Sequence, residues 1–233
     1  HIKIFSAEKD DLLNLPFVVG EKTNSHLLVV LTTDRGLCGG LNSHITKFTL
    51  KRIEELEAKN IDVSLVIYGK KSYEQIKAKS NVKILLNRLN DLSDSFSSRD
   101  AGKAYDEIFK IITERNIDNA SLVFPKFHSA ISQDVIEEQL MTELPVDNDL
   151  GETIPQIEYE PTLLEFATKF LALKINFQIF HAMKETYACE QGARMTAMDN
   201  AVNNCRDLVK KLNLVYNRTR QAKITTELIE IIS

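Results

Sequence analysis

Apolar residues fall in short blocks along the first two thirds of the chain and merge into one long stripe in the last third. His26–Thr33 (HLLVVLTT) is a continuous apolar run, the pattern of a strand buried on both faces. Asp34-Arg35-Gly36-Leu37-Cys38-Gly39-Gly40 follows as a turn, and Asn42 or Ser43 is placed to cap a helix running to about Lys59. That helix turns Ile45, Phe48, Ile53 and Leu56 inward. Asp62–Tyr68 predicts a second strand closed by Gly69, Lys70–Lys79 a short helix, and Asn81–Leu86 a third strand. The serine-rich Asn90–Asp100 reads as a loop. Ala101–Asn116 then predicts a helix, and Ala120–Phe124 a fourth strand that extends toward His128. Gln133–Leu144 fits helix and strand equally. Asp147–Glu160 is an acidic connector in which Ile157–Tyr159 is one more candidate strand. Strands alternating with helices predict an α/β fold with a parallel, Rossmann-like sheet and flanking helices.

From Pro161 to Ser233 the chain runs 73 residues with no further proline and the single glycine Gly192. One helix of that length reaches roughly 110 Å, far beyond a small domain, so most of it is expected not to pack against the rest of the chain. Met195, Met198, Val202, Cys205, Val209, Leu212 and Tyr216 step alternately by three and four residues. That is the seam of a helix laid against another helix. The opposite face carries Asn203, Asn204, Arg206, Asp207, Lys210, Asn213 and Asn217. Beyond Asn217, Ile224, Leu228, Ile229, Ile231 and Ile232 make the tip apolar nearly all round, which calls for a surrounding surface. The expected division is therefore a linker at 1–25, an α/β domain at 26–160 and a long helix at 161–233. Gly192 is expected to soften the rod by about 1 kcal/mol.

Composition narrows the function. The formal net charge of −4 divides unevenly, with the last 44 residues near +2 and the remainder near −6. A mildly basic end suits an acidic protein partner better than nucleic acid. The three cysteines, Cys38, Cys189 and Cys205, form no C-x-x-C, and the five histidines are scattered, so neither a disulfide framework nor a metal site is expected. Glu165, Lys169 and Lys174 interrupt the apolar stretch Leu163–Met183, which excludes it as a membrane span. The glycines at 36, 39 and 40 follow a strand, as in phosphate-binding loops, yet they match neither G-x-G-x-x-G nor a P-loop. A tight turn or a close contact with another chain is the alternative reading. No catalytic constellation and no cofactor motif stands out.

Three segments together resemble a known family. ARMTAMDNA (Ala193–Ala201) and LNLVYNRTRQAKITTELIEII (Leu212–Ile232) resemble the C-terminal helix of the gamma subunit of F-type ATP synthases. LTTDRGLCGGLN (Leu31–Asn42) is similar to that family's first strand and glycine turn. The resemblance implies a non-catalytic central stalk that couples proton flow to ATP synthesis or hydrolysis and regulates both. It implies that the long helix is half of an antiparallel coiled coil inside a ring of alpha and beta subunits. The epsilon subunit and the c-subunit ring are the further implied partners. It places the protein peripherally on a bacterial plasma membrane at the cytoplasmic face, with the mitochondrial inner membrane as the alternative. Position by position, Arg220 and Gln221 match a pair that contacts the ring, Thr225, Glu227 and Glu230 match polar positions near the tip, and Arg194 matches an arginine of the lower shaft. The family's N-terminal helix is not seen before residues 1–25, so the seam is expected to lack its partner here. Two other readings stay open on the residues alone: a nucleotide-binding regulator built on the glycine turn, and a plain dimerising coiled coil.

Overall fold

The computed structural model describes residues 17–19, 24–79, 82–88, 97–142 and 162–232. Its elements are β1 (Ser25–Leu31), α1 (Leu41–Glu57), β2 (Asp62–Tyr68), α2 (Lys71–Lys79), β3 (Lys83–Arg88), α3 (Ser98–Arg115), β4 (Asn119–Phe127), β5 (Gln133–Gln139) and α4 (Leu163–Ile232). The five strands form one sheet in the order β3-β2-β1-β4-β5. The first four are parallel, and β5 pairs antiparallel with β4 as a hairpin. The α/β expectation holds, and within the ambiguous Gln133–Leu144 stretch Gln133–Gln139 forms an antiparallel edge strand, while Glu143 and Leu144 lie outside the described residues. The candidate strand at Ile157–Tyr159 and the acidic connector lie outside the described residues.

Both faces of the sheet are covered, which is why β1 reads as an unbroken apolar run. On one face Leu27, Val29, Leu31, Leu122 and Phe124 pack with Ala101, Ala104, Ile108 and Ile112 of α3 and with Ile175, Ile179 and Met183 of α4. On the other, Leu28, Val30, Leu65 and Ile67 pack with Ile45, Ile53 and Leu56 of α1 and Ile76 of α2. Each such fully buried aliphatic side chain contributes about 1.5–3 kcal/mol.

Four local expectations change. Helix α1 starts at Leu41 with Gly40 as its N-cap, so neither Asn42 nor Ser43 caps it. The Asn42 amide instead donates to Thr33 Oγ1 at 2.8 Å. Helix α3 starts inside the predicted loop, because the Asp100 carboxylate accepts the Ser97 N–H at 3.0 Å and the Ser97 hydroxyl at 2.7 Å. Phe17, assigned by the sequence to a linker, is only 2% exposed and stacks on Tyr105 at 5.8 Å between ring centroids. Beside it Val18 bridges to Thr142, so Phe17–Val19 belong to the α/β core.

The fourth change concerns the long helix. Helix α4 is a single element of 70 residues, opened by Thr162, whose Oγ1 accepts the Glu165 N–H at 3.2 Å. Its first half is not free of the domain. Ala167, Leu171, Ile175, Ile179, Ala182, Thr186, Cys189 and Ala193 are buried, a stripe recurring every three or four residues. From Met198 onward every described residue is exposed. The helix is therefore half packed and half projecting.

Candidate functional site

Two places could carry function on this fold: the glycine turn at the carboxyl end of β1 and the projecting half of α4. In open α/β sheets ligands bind where the strand order reverses, beyond the carboxyl ends of the strands. Here that point lies between β1 and β4, beside the Gly36–Gly40 turn.

The turn is closed on itself. The Thr33 hydroxyl donates to Arg35 O at 2.7 Å. The Asn42 amide donates to Cys38 Sγ at 3.2 Å, and Asp34 Oδ1 accepts the Lys70 N–H at 3.0 Å. Thr32 and Ser72 share a buried hydroxyl–hydroxyl bond of 2.7 Å. Gly69 makes this junction sterically feasible. It sits at φ +105°, and a Cβ there would stand 2.3 Å from Thr32 O.

Helix α4 reaches the same core as the turn. Cys38 and Leu41 share one core with Cys189 and Ala193 of α4. The Cys189 thiol donates to Pro125 O at 3.4 Å, at the end of β4. Burial pushes that thiol up to about 12, with Glu185 adding to the effect, so it is neutral and unreactive. The turn thus satisfies its polar groups internally and shares its buried core with α4, which weighs against the nucleotide-binding reading.

The projecting half of α4 presents the predicted seam as a continuous unburied strip. Met195 is 56% exposed, Val209 55% and Tyr216 64%. Met198, Val202, Cys205 and Leu212 are exposed with them. A strip of this length left open to water is the mark of a surface that another element covers.

The structure divides the predicted contact residues into two groups. Arg220, Gln221, Thr225, Glu227 and Glu230 lie together on the exposed last turns. The Thr225 hydroxyl donates to Gln221 O at 2.9 Å, and Lys223 Nζ stands 3.9 Å from Glu227 Oε1. Arg194 is not with them. It lies roughly 39 Å down the helix, at 1.5 Å per residue. There it pairs with the nearly buried Glu190 and donates to Gln191 Oε1 at 3.1 Å. Arg194 therefore marks the place where the helix leaves the domain.

Sequence reasoning missed two features. One is a buried polar network in which His26 Nε2 lies 2.9 Å from Ser121 Oγ and Ser121 donates to Glu137 Oε1 at 2.8 Å. Arg52 Nε stands 2.6 Å from Glu137 Oε2, tying α1 to the edge strand. Burial drives the His26 pKa down to about 4, Glu137 opposes the shift and Arg52 adds to it, so the imidazole is neutral at pH 7. The other is the hairpin tip pressed on α4 at Gly192. The signal for it was present as the single glycine in an otherwise uninterrupted helix.

Comparison with known proteins agrees with this geometry. The family model described as ATP synthase matches residues 2–233. The ATP synthase gamma chain of Rhodospirillum rubrum is 42% identical over 220 residues, covering 91% of this chain and 74% of the relative. That of Geobacter metallireducens is 39% identical over 227 residues, covering 97% and 78%. Among solved structures, a chain of the Euglena gracilis mitochondrial ATP synthase (OSCP/F1/c-ring) shares the fold with a TM-score of 0.68 at 24% identity, covering 99% of this chain and 75% of its own.

Proposed function

The chain belongs to the ATP synthase gamma-chain family, and from that premise we propose that it is the rotating central stalk of an F-type ATP synthase. The observation that carries this reading is the division of α4: one continuous helix is anchored in the α/β domain and then projects with an exposed seam and an apolar tip. A rigid helix is the element that transmits rotation from one end to the other.

In this role the chain does no chemistry of its own. The upstream helix of the family pairs with the Met195–Tyr216 seam to complete an antiparallel coiled coil. The completed shaft stands inside the ring of alpha and beta subunits, with Ile231 and Ile232 at its tip. Arg220, Gln221, Thr225, Glu227 and Glu230 meet the ring, where exposed charge pairs worth about 0–1 kcal/mol each allow sliding contact. The α/β domain faces the epsilon subunit and the c-subunit ring. Through those contacts the chain couples proton flow to ATP synthesis or hydrolysis and regulates both. None of the described helices is long and apolar enough to cross a membrane. In this role the chain is held peripherally through its partners, at the cytoplasmic face of a bacterial membrane.

The test is a reconstitution. Alpha and beta subunits assembled with the full-length chain are fixed to a surface, and a bead is attached to the α/β domain. ATP-driven rotation of the bead is the expected result, and an active but static complex overturns the proposal.

A further inference from the structure

We propose that the β4–β5 hairpin is a latch that fixes the rotational register of α4 against the α/β domain, with Gly192 as its notch. The inference rests on the rotor reading above. It goes beyond that reading by assigning the point at which torque passes between domain and shaft.

Glycine in a helix interior costs about 1 kcal/mol relative to alanine. At Gly192 that cost has a steric reason. A Cβ there would stand 2.9 Å from Phe127 Cε2 and 3.2 Å from Ala130 Cα, so the hairpin lies almost directly on the helix backbone. Three polar contacts flank the notch. Glu185 Oε2 accepts the Phe127 N–H at 2.8 Å. The Cys189 thiol reaches Pro125 O, and the Thr196 hydroxyl donates to Ala130 O at 2.8 Å. Residues 185, 189, 192 and 196 are spaced by four, three and four, so they form one stripe along three turns of the helix.

The tip that meets this stripe is itself braced. Ser129 N–H donates to Ser132 O at 3.0 Å, and the Gln133 amide donates to Ala130 O at 2.8 Å and Ser129 O at 2.9 Å. The latch sits at the end of the packed half, with Ala193 buried and Met198 exposed. Below it the helix is held mainly by apolar side chains, together with the long, flexible Lys174 and Gln178, which bond Thr142 at 2.8 Å and Glu138 at 2.7 Å and tolerate small rotations. At the latch it is held by directional bonds to main-chain groups and by a groove that admits no side chain. Turning the helix by one residue, about 100°, removes the notch from the hairpin and breaks all three contacts.

The experiment uses the full-length chain in the assembled complex, with the ring fixed and a bead on the α/β domain. The readouts are the angular variance of the bead during the catalytic pause and the protons pumped per ATP hydrolysed in vesicles. Gly192→Ala improves the helix former while forcing the hairpin away. The expected result is roughly a threefold rise in variance with fewer protons pumped per ATP, within the range of mutations that modulate coupling. Thr196→Val, which removes only a hydroxyl, broadens the distribution in the same direction. Phe127→Leu combined with Gly192→Ala relieves the clash and narrows it again. Wild-type variance in both single variants, or no recovery in the double variant, overturns the latch while wild-type rotation continues. A wild-type complex that does not rotate removes the rotor reading, and the latch with it.

Discussion

Acid weakens the α/β domain through His26. The imidazole is 3% exposed and faces Ser121, Glu137 and Arg52. Its pKa is lowered from 6.5 to about 4 in the folded chain. A group with a depressed folded pKa binds fewer protons folded than unfolded, so it favours folding above the unfolded pKa and loses that contribution as pH falls through the folded one. The loss therefore runs from about pH 6.5 down to pH 4. Linkage over this shift gives about 2 kcal/mol lost between pH 7 and pH 5, and about 3 kcal/mol by pH 4. Hydrogen exchange of the slowest amides in β1 and β4, corrected for intrinsic rates, reads this quantity as core opening. The wild-type chain should lose about 2 kcal/mol more than His26→Gln does on going from pH 7 to pH 5, because glutamine keeps polar contact with Ser121 and does not titrate. Parallel pH dependences in the two chains would refute the reasoning. They would mean that Glu137 compensates the imidazolium fully within the core.

Other consequences are as direct. Gly69→Ala places a Cβ 2.3 Å from Thr32 O at φ +105° and should destabilise the domain by more than about 3 kcal/mol, read as the midpoint of urea unfolding. Cys205 is exposed on the seam and Cys189 is buried, so a maleimide should label Cys205 alone in the folded chain. Restoring a helix on the seam should then slow the labelling of Cys205. Arg220→Ala and Gln221→Ala touch only exposed positions and should leave stability within about 0.5 kcal/mol while lowering rotation torque in the assembled complex.

Much of the fold was legible because burial on both sheet faces writes itself as unbroken apolar runs. Asp62–Tyr68 was predicted with its observed bounds for that reason. Elements held by single contacts were not legible. Phe17 has no periodic neighbours, and contacts far away in sequence place it in the core: the rings of Tyr105 and Phe109, and the Thr142 N–H, which donates to Phe17 O at 2.8 Å. The start of α3 was hidden because Ser97 and Asp100 read equally well as loop residues and as a helix cap. Within the ambiguous Gln133–Leu144 stretch, Gln133–Gln139 is a strand because of its partner β4, which local pattern does not report. Among the site residues, the apolar stripe from Met195 to Tyr216 came from spacing, while Arg220, Gln221, Thr225, Glu227 and Glu230 came from the family resemblance. Arg194 was separated from the tip by distance along the helix, and Gly192 changed from a weak point to a point of contact.

The two halves of α4 differ in period as well as in burial, and that difference says what each half packs against. The buried positions from Ala167 to Ala193 recur at close to the natural helical period, as expected of a straight helix lying on a sheet and hairpin. The seam from Met195 to Tyr216 keeps the shorter period of 3.5 residues, which is the period of a helix in a left-handed supercoil. At about 100° per residue the seam lies on roughly the opposite side of α4 from the buried stripe. Phe166, Phe170, Leu173 and Phe177 of the packed half are exposed and fall on that same opposite side. One partner helix can therefore follow this face from Phe166 to Tyr216, a path of about 75 Å that takes about 50 residues. Among the described residues the domain grips α4 from one side and leaves the other side open, which is room for a second helix that does not displace the hairpin at Gly192.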